Sequence, residues 1–155
     1  MAIIDGRSIA RRRQENLRRE VANLASKWIV PAIAPILVGE NSAARVYYRA
    51  KARLAKKLGI RFSGIELPEG TREQELLDVI DALNIDLQVD GIPVELPLSS
   101  HISRTKIVLA ISPGKDIDGS ILWVWASCLW REQVRLATVS YVNNRTSFFR
   151  QRPRQ

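Results

Sequence analysis

Several residue types are scarce in this sequence, and each scarcity excludes a class of protein. The 155 residues include one cysteine, Cys128, which excludes an internal disulfide framework and a cysteine-rich zinc site. No apolar run approaches the roughly 18 residues that a membrane-spanning helix needs. The first residues, Met-Ala-Ile-Ile-Asp-Gly, lack the apolar core of a secretory signal. We therefore expect an intracellular, cytoplasmic protein.

Glycine is missing from the last part of the chain. All eight glycines lie at or before Gly119. A dinucleotide cofactor is bound through a glycine-rich turn, because backbone N–H groups must come close to its phosphates. We therefore expect no phosphate loop in residues 120–155, and no bound nicotinamide cofactor.

The net charge of +8 suggests a nucleic-acid partner, but its distribution argues against one. Residues 120–155 hold six Arg and one Glu, whereas residues 1–119 hold 18 basic and 15 acidic residues. Because the body is nearly balanced, we expect it to bind neither nucleic acid nor a membrane. The last segment also holds three of the four Trp residues, so a small basic binding module stays open there.

Helical and strand patterns alternate along the first 119 residues. The run from Ala32 to Val38 is nearly all apolar, as expected of a strand that is buried on both faces, although Pro35 is unfavourable inside it. The predicted elements are helix 7–28, strand 32–38, a helix from Asn41 or Ser42 to Gly59, strand 60–67, a helix capped by Thr71, strand 92–96 and helix 103–111. This order predicts an α/β fold with an open, mainly parallel sheet flanked by helices.

Tyr47 and Lys51 form the first candidate site. They are four residues apart on the second predicted helix, so they share a face. That helix follows the C-terminal end of a strand, which is where open α/β sheets bind ligands. A solvated helix face is the alternative interpretation of the same spacing.

Four segments are specific as an ordered set, although each is common by itself. They are Asp5-Gly6, Val46-Tyr47-Tyr48-Arg49-Ala50-Lys51, Val89-Asp90-Gly91-Ile92-Pro93-Val94-Glu95-Leu96-Pro97-Leu98 and Lys115-Asp116-Ile117-Asp118-Gly119. From about Ile3 to Gly119 the chain resembles the catalytic domain of the methylenetetrahydrofolate dehydrogenase/methenyltetrahydrofolate cyclohydrolase family. The resemblance implies a folate enzyme of one-carbon metabolism that interconverts 5,10-methylene-, 5,10-methenyl- and 10-formyl-tetrahydrofolate.

The resemblance also implies roles for single residues. Tyr47 matches the residue that stacks on the folate ring system, and Lys51 matches the residue that carries the acid–base chemistry. Asp118 matches the carboxylate that accepts the pterin N–H groups, which a carboxylate can do as a fork. Pro97 and Leu98 match residues that line the folate pocket. No metal ligand is implied.

Glu95 departs from the family pattern, which has Gln beside the lysine. We expect Glu95 to pair with Lys51 as an ion, and such a pair favours the charged form of a lysine over the neutral base. The predicted catalytic residues are therefore Lys51, Tyr47 and Glu95. We expect Glu95 to lower the cyclohydrolase activity relative to family members that have Gln at this position. Ala44 is a second departure, since many relatives have a small hydroxyl residue three positions before the tyrosine.

Family members continue into a Rossmann-type domain that binds NADP and makes most contacts of a homodimer. The resemblance thus implies a truncated member, with a folate-binding catalytic domain at 1–119 and an aberrant tail at 120–155. One hypothesis for the tail is a frameshift, because one T inserted after the Gly119 codon permits Phe-His-Pro-Val-Gly-Val-Gly-Lys-Leu, which resembles the family's continuation. Two alternatives stay open: a folate-binding remnant without catalysis, and the basic binding module.

Overall fold

The computed structural model describes residues 5–120. Through Ile117 these residues belong to one compact unit, and Asp118 begins a second unit. The described part of the first unit alternates helices with short strands, which confirms the α/β class. Its elements are α1 (Gly6–Ala25), β1 (Ala32–Ile33), β2 (Ile36–Val38), α2 (Ser42–Leu58), β3 (Arg61–Phe62), β4 (Ile65–Leu67), α3 (Glu73–Ile85) and α4 (Arg104–Ala110).

A parallel sheet forms the centre of the first unit. β1 pairs with β3 and β2 pairs with β4, both in parallel, and two isolated parallel bridges add a third segment, 91–94. The middle strand is therefore 32–38, with 61–67 on one side and 91–94 on the other. Pro35 divides this middle strand because it has no N–H to donate, while its carbonyl still accepts from Ile65 at 2.8 Å.

The middle strand contributes to two apolar clusters on its opposite faces, as the alternation of side chains along a strand requires. Ile36 and Val38 belong to the main core cluster, which also takes its members from α3 and α4. Leu37 belongs to a smaller cluster with Ala44 and Tyr48 of α2. Each large side chain buried in this way contributes about 1.5–3 kcal/mol. This packing fixes α2 against one face of the sheet.

Helix α2 begins and ends where the sequence predicts. The Asn41 side chain accepts from the Ala44 N–H at 3.0 Å, so Asn41 rather than Ser42 is the N-cap. Gly59 follows the last turn with a φ of 80°, a left-handed conformation that glycine adopts without steric cost. These two caps fix where α2 starts and stops.

The start of α3 differs from the prediction. Arg72 occupies the N-cap position, and its N–H donates to the Glu75 carboxylate at 2.8 Å. Thr71, the predicted cap, instead donates its hydroxyl to the Pro68 carbonyl at 2.6 Å. The prediction was wrong because the turn at Pro68 competes for the threonine hydroxyl.

Other elements are shorter than predicted. α1 ends at Ala25 rather than at position 28. The predicted strand 92–96 is reduced to isolated bridges, because Pro93 and Pro97 have no N–H to donate to a ladder. Among residues 5–120, no helix is long and apolar enough to cross a membrane. The same residues hold no group of three or more His, Cys, Asp or Glu side chains placed for a metal ion.

The predicted tail lies almost entirely outside the described residues. The predictions that depend on it are the domain boundary at 119/120, the frameshift hypothesis and the binding module with its Arg and Trp side chains. All three therefore stay predictions.

Candidate functional site

Lys51 and Glu95 meet as an ion pair, as the sequence led us to expect. Lys51 Nζ lies 2.9 Å from Glu95 Oε1. The side chain of Lys51 is 36% exposed and that of Glu95 is 6% exposed. Glu95 Oε1 accepts no hydrogen bond from the described residues, so the contact is short but lacks hydrogen-bond geometry. A nearly buried carboxylate therefore has the Lys51 ammonium as its close charged neighbour.

Two rigid elements bring the pair together. Lys51 lies in the middle of α2. Glu95 directly follows the bridge residue Val94, and its N–H donates to the Ile36 carbonyl at 2.9 Å. The Leu96–Pro97 peptide that comes next is cis. The sheet thus holds the backbone of Glu95, and packing holds the helix that presents Lys51.

The two adjacent tyrosines have different surroundings. Tyr47 is 68% exposed and lies one turn before Lys51 on the same face of α2. Tyr48 is 7% exposed, and its ring meets that of Phe62 edge to face at a centroid distance of 5.3 Å. Tyr48 is therefore a core residue, and Tyr47 is the aromatic side chain that a ligand can reach.

A close approach of the chain at Gly64 holds Tyr48 in place. A Cβ at Gly64 would overlap Tyr48 Oη, so only glycine leaves room for the ring there. Burial raises the pKa of the Tyr48 hydroxyl, the negative charges of Glu66 and Glu95 raise it further, and the charge of Arg45 opposes them. The hydroxyl therefore stays neutral beside the ion pair.

A second ion pair lies in the same neighbourhood. Arg45 Nη1 is 2.8 Å from Glu66 Oε2 and joins the first turn of α2 to β4. Sequence reasoning missed this pair, because two single charges 21 positions apart have no local signature. Only the packing of α2 on the sheet brings them together.

Pro97 and Leu98 line an open pocket of about 510 Å³. Residues of the loop 96–104 supply its walls, and Lys51 and Glu95 are not among them. The structure thus brings two of the predicted residues together as an ion pair and two others together in a pocket. The pocket begins one residue after Glu95 in the chain.

Helix α3 holds the pocket loop. Lys106 Nζ lies 2.6 Å from one oxygen of Glu73, and the Ser103 N–H donates to the other at 2.7 Å. These two contacts lower the pKa of the Glu73 carboxyl. His101 is exposed, and its Nε2 lies 2.8 Å from the Thr71 carbonyl oxygen. The C-terminal end of the pocket loop is therefore tied to the start of α3 and the residues just before it.

Asp118 belongs to the second unit, so its predicted role at the pterin stays a prediction. The segment before it is anchored in the first unit. Lys115 Nζ lies 2.6 Å from two carbonyl oxygens at the C-terminal end of α3. Asp116 is 7% exposed, and its N–H donates to the Ser112 carbonyl at 3.1 Å.

Known proteins resemble this chain in sequence and in fold. Residues 4–118 match the family model described as tetrahydrofolate dehydrogenase/cyclohydrolase, catalytic domain. The bifunctional protein FolD of Streptococcus thermophilus is 50% identical over 121 residues, which cover 77% of this chain and 43% of that protein. The chain belongs to the tetrahydrofolate dehydrogenase/cyclohydrolase family, which confirms the resemblance seen in the sequence. It spans less than half the length of the curated relatives that it matches.

Solved structures agree with this assignment. The bifunctional enzyme FolD of Campylobacter jejuni superposes with a TM-score of 0.73 at 38% identity, covering 74% of this chain and 41% of that one. The FolD enzyme of Trypanosoma brucei, solved with NADP and an inhibitor, gives a TM-score of 0.74 at 31% identity, covering 78% and 41%. The predicted α/β fold is therefore confirmed by relatives as well as by the chain's own elements.

Proposed function

We propose that this chain binds a reduced folate and acts in the interconversion of 5,10-methylene-, 5,10-methenyl- and 10-formyl-tetrahydrofolate. The observation that carries the proposal is the Lys51–Glu95 ion pair one turn from the exposed Tyr47, in a chain whose residues 4–118 match the family. A flat ring system with a reacting carbon at one end fits an aromatic face next to an acid–base group. We place this function in the cytoplasm.

The cyclohydrolase step gives each residue a task. Water adds to the cationic methenyl carbon and loses one proton, which leaves a hydroxyl group on that carbon. One C–N bond then breaks as the hydroxyl gives up its proton to become the formyl carbonyl and the departing nitrogen takes up a proton. Lys51 is the group proposed to accept and return protons, while Tyr47 holds the ring. Pro97 and Leu98 are proposed to line the folate site, while the pterin-binding role of Asp118 stays a prediction. Glu95 acts through Lys51, because an ammonium ion must give up a proton before its nitrogen can accept one, and a neighbouring carboxylate opposes that loss.

The dehydrogenase step transfers a hydride and needs a nicotinamide cofactor. The Trypanosoma brucei relative was solved with NADP. All eight glycines of this chain lie at or before Gly119, and none of them forms a glycine-rich phosphate turn in the sequence. We therefore propose the folate half of the site for this chain, with no NADP binding of its own.

The proposal is tested by hydrolysis and binding of 5,10-methenyl-tetrahydrofolate with Lys51→Met. This variant should abolish hydrolysis because it removes the proton acceptor. Lys56→Met is the matched control, since Lys56 is an exposed lysine of the same helix and should leave the rate unchanged. A wild-type protein that binds no reduced folate would contradict the proposal, and so would a Lys51→Met variant with full activity.

A folate-binding domain without turnover is the second candidate. The Lys51–Glu95 contact at 2.9 Å favours it, because the carboxylate occupies the side-chain nitrogen that would otherwise take part in the reaction. The distinguishing result is tight folate binding with no hydrolysis by the wild-type chain, and restoration of hydrolysis by Glu95→Gln would identify the ion pair as the cause.

A further inference from the structure

Four charged side chains on and near α2 form two ion pairs. Arg45 pairs with Glu66 at 2.8 Å, and Lys51 pairs with Glu95 at 2.9 Å. Arg45, Tyr48 and Lys51 follow one another three residues apart along α2, so the two pairs lie on neighbouring turns of the helix. The charges of Glu66, Glu95 and Arg45 also act on the Tyr48 hydroxyl. The formal charge of the two pairs together is zero.

The two members of the Lys51–Glu95 pair are unequally screened. The ammonium side chain is 36% exposed, so water weakens its field, whereas the carboxylate side chain is 6% exposed. Glu95 Oε1 is enclosed by the protein and accepts no hydrogen bond from the described residues, so little besides the Lys51 ammonium at 2.9 Å offsets its charge. A ligand that approaches from the solvent-exposed side of Lys51 therefore meets the ammonium group, which water partly screens. Behind it lies the Glu95 carboxylate, which water screens much less.

We propose that Glu95 makes this site select the cationic form of the one-carbon unit, with the methenyl cation preferred to neutral one-carbon forms of the same folate. With Glu95 in place, an incoming positive carbon faces a neutral pair, and the buried carboxylate attracts it. With a neutral amide at the same position, the cation faces the unpaired charge of Lys51 and is repelled. Glu95 is thus a specificity-determining residue, and this role rests on the folate site proposed above.

The Arg45–Glu66 pair provides a matched control. Glu66→Gln removes one negative charge from the same neighbourhood, but Glu66 lies 51% exposed on β4 and is paired with Arg45 rather than with Lys51. If only the summed charge mattered, Glu66→Gln and Glu95→Gln would act alike. If the buried carboxylate behind Lys51 matters, only Glu95→Gln changes the selectivity.

The test compares the dissociation constants of 5,10-methenyl-tetrahydrofolate, which is cationic at the one-carbon unit, and 5-formyl-tetrahydrofolate, which is neutral there. Stopped-flow fluorescence reads binding before the methenyl ligand is hydrolysed. In Glu95→Gln the preference for the methenyl ligand should fall by about tenfold, the scale of one charge interaction that water screens in part. In Glu66→Gln the preference should change by less than about twofold.

A preference that Glu95→Gln leaves within about twofold of the wild type would overturn the proposal. An equal fall in both variants would also overturn it, because summed charge would then be sufficient. A wild type that binds only the formyl ligand would refute the proposed selectivity but not the proposed folate site. A wild type that binds neither ligand would refute the proposed function as well. If Glu95→Gln does not fold, Lys51→Gln is the deciding variant. Removing the ammonium group should raise the preference for the methenyl ligand, and an unchanged preference would overturn the proposal.

Discussion

Replacing Glu95 with glutamine should accelerate any cyclohydrolase reaction of this chain. The carboxylate lies 2.9 Å from Lys51 Nζ, and its side chain is 6% exposed. Two unit charges about 4 Å apart interact by about 4 kcal/mol at an effective dielectric constant of about 20. Because the lysine side chain is 36% exposed, water screens much of this attraction, and we take about 1–2 kcal/mol as the energy that holds the ammonium to its partner.

Glu95→Gln removes that energy with little change in side-chain shape. Since each 1.4 kcal/mol or so is a factor of ten in rate, hydrolysis limited by proton transfer at Lys51 should rise by about tenfold. The KM of the cationic substrate should rise at the same time, because the selectivity inferred above is lost. Steady-state loss of 5,10-methenyl-tetrahydrofolate measures both quantities, with Glu66→Gln as the control for charge.

The double variant Lys51→Met/Glu95→Gln should be as inactive as Lys51→Met alone, because the gain depends on the lysine. An active protein whose rate is unchanged by Glu95→Gln would refute this reasoning. A lower rate would also refute it, and would indicate that Glu95 itself takes the proton.

Three further predictions concern the scaffold, its acid stability and the cofactor. Gly64→Ala should destabilise the domain by about 1–3 kcal/mol in urea denaturation, because its Cβ would overlap Tyr48, whereas Gly70→Ala meets nothing within 4 Å and should be nearly neutral. The pKa of Glu73 is lowered in the folded state by its contact with Lys106, so this contact should add stability above the ordinary glutamate pKa of about 4.3 and lose it as the pH falls through the lowered value. Glu73→Gln should flatten that acid-side slope in thermal melts from pH 7 to 3, and an unchanged slope would contradict the assignment. Calorimetry should detect no saturable NADP binding to this chain, and tight binding would show that a phosphate site exists outside any glycine-rich turn.

The α/β class and the helix bearing the site could be predicted from local signals. Asn41 and Gly59 mark the ends of α2 because capping chemistry depends on residues close in sequence. The apolar run 32–38 indicated a strand buried on both faces, and the structure places it in the middle of the sheet. The Lys51–Glu95 pair was expected from the family pattern, in which this position lies beside the lysine.

Features that depend on packing between distant segments could not be predicted. The Arg45–Glu66 pair joins residues 21 positions apart and has no local signature. The sequence distinguishes Tyr47 from Tyr48 only by its spacing to Lys51, and the packing of Phe62 and Gly64 against Tyr48 shows which ring is buried. Thr71 was taken as a helix cap because its competing partner, the Pro68 carbonyl, is a turn contact that depends on the chain's fold.

A crystal structure of this chain with a bound reduced folate tests the proposed site most directly. We predict that the bicyclic ring lies against Tyr47 and that the one-carbon end lies within hydrogen-bond distance of Lys51 Nζ, with Glu95 directly behind it. A folate bound entirely within the pocket of the loop 96–104, away from Tyr47 and Lys51, would contradict the proposed site.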